Sequence, residues 1–442
     1  MSSAAPHRSD SPEAPHGRQP DRAAVVHPVP ASESEAWARQ LASGFLDGPD
    51  GERADRYAKL FARAWDPSRT WGARAGGRWV ATLRTEPLMI TVPGRGAGTF
   101  ELPIDGLTAV TVDATQRRRG LLRRMLAESL AAAVDRGDPL SALIAAEWPI
   151  YGRFGYAPAT WSFDFTIDIS RQGATVAGDP SRLRRVTAAE FGALAPAAFD
   201  AARRRNPGQV SRGRVEWAEM LGLDGISSEE SGTLHLLVHD GPDGVDGLLA
   251  WRAADRRDGT HAPLQPPHKS AVVVLLATAG DAAYRDSWAY LTGLDLVDRI
   301  ELPNRPFAEP VRWLIPNGRA VRLVGAVDAT WLRILDVPGA LAGRAYAVPG
   351  ELVIEVTDAV GGFGAGRFYL ADDGVAATCE PTSVAPDLRV DVRALACAYL
   401  GGVLLRDRLA DGSSIEEFRA GAVARFDRMF AAVAPVWNQT WF

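Results

Sequence analysis

The chain has 442 residues, 46% hydrophobic and 23% charged, with a formal net charge of −5. That length exceeds one ordinary core and implies roughly two to four domains. The acidic balance excludes a general nucleic-acid binder, which needs a basic surface. No apolar run approaches the roughly 18 residues of a membrane span, and no segment near the N-terminus has the apolar stretch of a signal peptide, so the expected location is cytoplasmic.

Residues 1–27 are rich in Pro, Ser, His and charge without periodicity and read as a disordered tail. From Ser32 the pattern changes. Ser32-x-x-Glu35 is a capping box, and Trp37, Leu41 and Phe45 mark one helix face. A second helix carries Tyr57, Leu60, Phe61 and Trp65, after an acidic, Gly-rich link at 47–55. Residues 71–75, the turn Gly76-Gly77 and residues 78–92 predict a hairpin. The β-branched run 107–112 predicts a buried strand.

A short polar loop with Arg117, Arg118 and Arg119 follows, and Gly120 lets the backbone turn tightly into a helix. Leu122, Met125, Leu126, Leu130 and Val134 give that helix an inward face. A second apolar strand at 140–146 completes a β-α-β unit. Backbone N–H groups of Arg118, Arg119, Gly120, Leu121, Leu122 and Arg123 would converge with the positive helix end, a site for a pyrophosphate.

After about residue 172 the layout begins again. Thr187-Ala-Ala-Glu190 is a capping box, Trp217, Met220 and Leu221 mark a helix, and 233–239 with 247–253 predict a hairpin. A buried strand at 271–277 leads to a helix through Tyr284, Trp288 and Leu291. The loop between them, Thr278-Ala279-Gly280-Asp281, has no arginine and ends in an acid, so a pyrophosphate would be repelled there. From about 319 the order is a helix at 328–335, strands at 352–357, 366–371, 376–379 and 388–390, and helices at 392–400 and 415–430. The aromatic end Trp437-Asn438-Gln439-Thr440-Trp441-Phe442 is expected to be tied down, since chain ends normally fray as polar tails. Cys379 and Cys397 form no CxxC pattern and read as buried thiols, and the irregular spacing of His7, His16 and His27 gives no metal site.

The segment 107–122 resembles the acetyl-coenzyme-A site of the GNAT acetyltransferases, whose pattern is Arg-x-x-Gly-x-Gly/Ala. Arg117-Arg118-Arg119-Gly120-Leu121-Leu122 keeps the Arg and the first Gly and ends in Leu. VTVDATQRRRGLL, followed after the second strand by IYGRFGYAPAT, resembles the Eis (enhanced intracellular survival) branch of that superfamily. The resemblance implies an α/β (α+β) chain: a catalytic GNAT domain at 28–172, a degenerate second GNAT domain at 173–318, and a sterol-carrier-like domain at 319–442. It also implies acetyl-coenzyme A as co-substrate, no metal, and a homohexamer.

Acetyl transfer from a thioester to an amine needs a held cofactor, an acceptor for the amine proton and a donor for the leaving thiolate. Val110, Thr111 and Val112 match the family positions that hold the pantetheine arm, and Ala146 and Glu147 match two further contacts. Tyr151, the first tyrosine of IYGRFGY, matches the general acid, while Tyr156 reads as packing. No histidine follows His27 within 28–172, and the resemblance makes the base the free C-terminal carboxylate, here on Phe442, with Glu147 through a water as the fallback. Trp148-Pro149 replaces small residues before IYGRFGY, and Trp441 stands where well-known members carry an acid. The expected acceptor is a primary amine on a small polycation, aminoglycoside-like or a polyamine. Lysine or peptide acetylation is the alternative within enzymes, and a non-catalytic binder of coenzyme A and an apolar ligand is the alternative outside them.

Overall fold

The computed structural model describes residues 24–48, 50–63, 65–169, 176–223, 231–255, 269–411 and 414–442. The first stretch contains β1 (Val25–Pro28), α1 (Ser34–Gly44), α2 (Glu52–Ala62), β2 (Thr70–Ala75), β3 (Arg78–Pro93), β4 (Thr99–Val112), α3 (Leu121–Asp135), β5 (Leu140–Ile144), α4 (Trp148–Tyr151) and β6 (Ala157–Pro158). The second contains β7 (Trp161–Asp168), β8 (Leu183–Arg185), α5 (Ala188–Arg203), α6 (Arg214–Leu221), β9 (His235–Gly241), β10 (Gly244–Asp255), β11 (Lys269–Thr278), α7 (Asp281–Thr292), β12 (Val297–Arg305), α8 (Val311–Leu314) and β13 (Val321–Asp328). The third contains β14 (Thr330–Ile334), α9 (Val337–Ala342), β15 (Gly350–Thr357), β16 (Gly366–Asp372), β17 (Ala377–Pro381), β18 (Leu388–Asp391), α10 (Val392–Ala398), β19 (Ile415–Glu417) and α11 (Ala422–Phe430).

Among the described residues these strands form three sheets: β1-β2-β3-β4-β5-β14-β6, β13-β7-β12-β11-β10-β9-β8 and β17-β16-β15-β18-β19. The sheets do not follow the chain in simple segments. β7 lies before residue 172 yet pairs with β12 and β13 in the second sheet. β14 lies beyond residue 319 yet completes the first sheet, antiparallel to β5 and β6. The boundary expected at 172/173 falls outside the described residues.

Several local expectations are corrected. Within 328–335, expected as a helix, residues 330–334 are instead the strand β14: Thr330, Trp331, Leu332, Arg333 and Ile334 are all buried, as a strand enclosed on both faces requires. The helix expected at 415–430 divides into β19 and α11, because Gly421 at φ +85° starts the helix anew. Ser32 caps nothing; a 3-10 turn precedes α1, whose N-terminal flank is Glu33. Residues 24–27, read as tail, include three of the four residues of β1 on the edge of the first sheet, while 1–23 lie outside the described residues. In α3 the inward face includes Leu121, Met125, Leu126 and Leu130, whereas Val134 is exposed. The Thr187 cap is realised, its Oγ1 accepting from the Glu190 N–H at 3.2 Å. Cys379 and Cys397 are buried, with no disulfide between them.

The largest apolar core joins the lower halves of β3, β4 and β5 (Leu88, Ile90, Val92, Ile104, Leu140) to β15, β18, α10 and α11. The third unit is therefore docked on the first sheet through a shared interior. A buried ion pair, Arg333 to Asp358 at 2.5 Å, fastens β14 to it. Gly155 of the YGRFGY block sits at φ +83°, and a Cβ there would lie 2.3 Å from Arg333 Nη1. That close approach leaves room for glycine alone.

Candidate active site

β4 and β5 run parallel from Ile104↔Leu140 to Leu107↔Leu143, and their pairing ends there. β4 continues to Val112, so Val110, Thr111 and Val112 lie where the two strands have parted. The parting coincides with a bulge. The β3–β4 register shifts between Thr82↔Thr111 and Arg84↔Thr108, and Ala109 adopts φ +54°. A left-handed alanine is strained, and such bulges are found beside active sites. Thr82 secures this one, its Oγ1 donating to the Ala109 carbonyl at 2.9 Å and lying 2.7 Å from Thr111 Oγ1.

At the end of β4, Asp113 turns the chain by accepting from the Thr115 N–H at 2.8 Å. Two left-handed residues follow, Arg118 at φ +64° and Gly120 at φ +76°. A Cβ on Gly120 would meet nothing within 4 Å, so backbone conformation and not crowding calls for glycine there. α3 starts at Leu121 with no side-chain cap. Its first N–H groups therefore have no partner from within the helix and carry the positive end of the helix dipole. Arg118, Arg119, Gly120 and Arg123 are exposed around this turn, Leu122 is half-buried and Leu121 faces the core. An anion with several oxygens fits this arrangement.

Ala146 and Glu147 are exposed just past β5, and Glu147 flanks the N-terminus of α4. Tyr151 closes α4 and is buried. Burial, then the nearby Glu147 carboxylate, pushes its hydroxyl up to about 12. The phenol thus stays protonated at any physiological pH, and a thiolate forming in the same apolar surroundings would have its proton affinity raised for the same reason. Tyr156 is committed elsewhere: its hydroxyl lies 2.7 Å from Ser141 Oγ, which donates to the Asp105 carbonyl at 2.9 Å.

The C-terminal tail is tied down as its aromatic content suggests. Trp437 N–H donates to the Pro207 carbonyl at 3.2 Å, and Gln209 Nε2 donates to the Trp437 carbonyl at 3.0 Å. Val210 N–H donates to Asn438 Oδ1 at 3.1 Å, Thr440 Oγ1 to the Val210 carbonyl at 2.8 Å, and Arg212 Nη2 to the Gln439 carbonyl at 2.8 Å. Segment 206–211 in turn lines β3, through Gly208 N–H to the Thr91 carbonyl, Thr91 N–H to the Gln209 carbonyl and Ser211 N–H to the Met89 carbonyl. The tail is thereby registered against the first sheet. Phe442 is half-buried against the large shared core, and Trp441 is 73% exposed. Trp148 meets Trp331 edge-on at 5.0 Å and Trp161 at 6.2 Å, which places it over β14.

One group of residues escaped the sequence reading. Arg84 is buried on β3, its guanidinium over the Phe61 ring at 5.0 Å and 3.4 Å from Glu86. Burial, then the neighbouring Glu86 carboxylate, pushes Glu216 of α6 up to about 7. Arg212, over the Phe199 ring at 4.9 Å and the Trp217 ring at 5.2 Å, is pushed down by burial to about 10 and remains charged. Arg84 pairs in register with Thr108 at the bulge, and Ala218 of α6 shares an apolar cluster with Ala109. The available signal was the charged pair Arg84 and Glu86 inside an otherwise apolar strand; nothing local joined it to Glu216.

Models of the Acetyltransferase (GNAT) domain match residues 25–159 and 208–334, and a Sterol carrier protein domain matches 337–438. An uncharacterized N-acetyltransferase of Streptomyces griseus is 38% identical over 422 residues, covering 93% of this chain and 98% of that relative. The N-acetyltransferase Eis of Mycobacterium tuberculosis is 34% identical over 377 residues, covering 83% and 86%. The crystal structure of Eis1 from Mycobacterium abscessus superposes with a TM-score of 0.79 at 28% identity, covering 95% of this chain and all of that one. With two GNAT folds and a sterol-carrier fold in this order, and that identity along most of its length, the chain is an acetyltransferase and belongs to the Eis family of GNAT N-acetyltransferases.

Proposed function

We propose that this protein transfers an acetyl group from acetyl-coenzyme A to a primary amine of a small polycation, aminoglycoside-like or a polyamine. The observation that carries the reading is the opening at β4: a strained bulge, a parted strand edge and an uncapped helix end among arginines, all within 109–123. The bound thioester would supply the acetyl group. Backbone N–H groups of Arg118, Gly120, Leu121, Leu122 and Arg123 hold the pyrophosphate, with Arg118 and Arg119 adding charge-assisted bonds. Val110, Thr111 and Val112 offer main-chain groups to the pantetheine arm, and Ala146 and Glu147 line its far side. The Tyr151 hydroxyl gives its proton to the departing sulfur. The Phe442 carboxylate, delivered by the registered tail, takes a proton from the acceptor's ammonium, which frees the amine lone pair to attack the thioester carbonyl, with Glu147 as the alternative base.

A cationic acceptor is supported by Glu86, whose carboxylate stands beside Arg84 near the bulge on the face of the first sheet covered by α2 and α6. The N-acetyltransferase names of the relatives support an amine. Among the described residues no helix is long and apolar enough to cross a membrane, and a cytoplasmic location is part of the proposal. So is a homohexamer. The sheet-edge strand β13 exposes Leu323, Val324 and Val327, apolar surface that suits contact with another copy. The experiment is coenzyme-A release measured across a panel of aminoglycosides, polyamines and lysine peptides. Turnover on the small polycations is expected, and turnover confined to peptides would overturn the acceptor class.

A further inference from the structure

The second GNAT fold repeats the opening of the first and then bridges its strand edge with an arginine. β11 and β12 run parallel from Lys269↔Val297 to Val272↔Glu301, and their pairing ends there. β11 also carries a bulge, since the register with β10 shifts between Ala250↔Leu275 and Trp251↔Val273. Just past it, where β4 would present its main chain to a cofactor, the Leu276 carbonyl accepts from Arg305 Nη1 at 3.0 Å. Arg305 ends β12, is buried, and is fixed by Glu309 at 2.8 Å, which also accepts from the Tyr284 hydroxyl of α7. The chain's own guanidinium thus reaches across the parted strands.

Above that guanidinium lies the tail. The Arg305 Cζ is 4.5 Å from the centre of the Trp437 ring, and Trp437 is itself buried. A cavity of about 720 Å³ runs alongside, lined by Leu276, Arg305, Trp437 and Gln439 among others. The ring therefore rests on a fixed cation at the edge of a hollow and not in a filled apolar core. Phe442 lies five residues beyond Trp437, and between them Asn438, Gln439 and Thr440 are hydrogen-bonded to Val210 and Arg212.

We propose that the arginine-bridged cleft of the central GNAT fold is the seat of the C-terminal tail, and that Arg305 is a positioning residue that sets, through Trp437, where the Phe442 carboxylate stands. This rests on the reading of that carboxylate as the base. It gives the central fold a part in catalysis without a cofactor of its own. General-base transfer is sensitive to placement, an ångström of displacement costing about 10²-fold.

The test compares Arg305→Lys and Trp437→Leu in two full-length backgrounds: the natural terminus, and a C-terminal tag that turns the carboxylate into an amide. With the natural terminus each substitution should lower kcat by at least about ten-fold while the KM for acetyl-coenzyme A stays within about two-fold. Carboxypeptidase A should release Phe442 faster from both variants than from wild type. In the tagged background neither substitution should lower kcat further, because the group being positioned is already gone. Equal losses in both backgrounds, unchanged release of Phe442, or wild-type kcat in both variants would each overturn the seat. Full activity of the tagged but otherwise unsubstituted protein would instead remove the base, and the seat with it, and that arm touches neither Arg305 nor Trp437. Trp437→Leu answers the question alone if Arg305→Lys fails to fold.

Discussion

The two GNAT folds of this chain share a scaffold and differ at one corner. In each, a bulged strand runs parallel to its neighbour over four residue pairs and then parts from it. In the first fold the parted edge leads into Arg117-Arg118-Arg119-Gly120 and a helix with no side-chain cap. In the second it leads into Thr278-Ala279-Gly280-Asp281, where the helix opens on an acid paired with Arg205 at 2.7 Å, and Arg305 bridges the gap. A carboxylate at a helix N-terminus occupies the dipole that an anionic ligand would otherwise use. The comparison separates what the fold supplies, an opening, from what chemistry requires, a loop that welcomes negative charge and an edge left unfilled.

The largest effect is expected at the chain end, which is bonded to 207–212 and packs through Phe442 on the core shared with the first sheet. Deleting Phe442 withdraws the terminal carboxylate by up to about 3.5 Å, and kcat should fall by about 10²-fold or more. Phe442→Leu keeps the carboxylate and should retain most activity. The check is kcat for both forms, with thermal melts to exclude unfolding; equal loss in the two would assign Phe442 to packing. Next in size, Tyr151→Phe should lower kcat by about 10²-fold with little change in acetyl-coenzyme-A affinity. Tyr156→Phe, which removes a bond to Ser141, should cost about 1 kcal/mol of stability and leave kcat nearly unchanged. Steady-state kinetics on the pair decides between them.

The smallest effect concerns the charged face beside the bulge. Glu216 holds its proton up to about pH 7 in the folded protein, well above an ordinary glutamate. A group whose pKa is raised by folding favours the folded state at low pH, and that contribution is lost as pH rises through the folded value. Stability should therefore decline from about pH 4.5 to about pH 7 on account of this side chain. Glu216→Gln should flatten that part of the profile and raise the melting temperature at pH 8. Melts of both proteins across pH 4.5 to 8 test it; a mutant profile parallel to that of wild type would assign the dependence elsewhere.

Much of the active corner was legible because it is local. The three arginines, the glycine and the apolar strands on either side lie within 107–146, and their periodicity states strand, turn, helix, strand. What stayed hidden is non-local. The alternation of Thr330 to Ile334 could not reveal that the strand crosses to the first sheet, since its partners Leu140–Ile144 lie some 190 residues earlier. The bulge rests on an alanine at positive φ, a residue type that carries no signal for that conformation. Glu86 and Glu216 meet only after α6 folds against β3, and Arg305 meets Trp437 only after the tail returns. Interactions of that kind are properties of the assembled core and leave no periodic trace.

Acetyl-coenzyme A is expected to bind the first GNAT fold and not the second. Titration calorimetry of acetyl-coenzyme A into the full chain tests it directly, with Arg118→Ala/Arg119→Ala as the probe of the first opening and Asp281→Ala as the probe of the second. One site per chain is expected. The double substitution, removing two charge-assisted contacts, should weaken it at least about ten-fold, and Asp281→Ala should leave it within about two-fold. Two sites per chain, or an affinity indifferent to Arg118 and Arg119, would place acetyl-coenzyme A elsewhere than at the first opening alone.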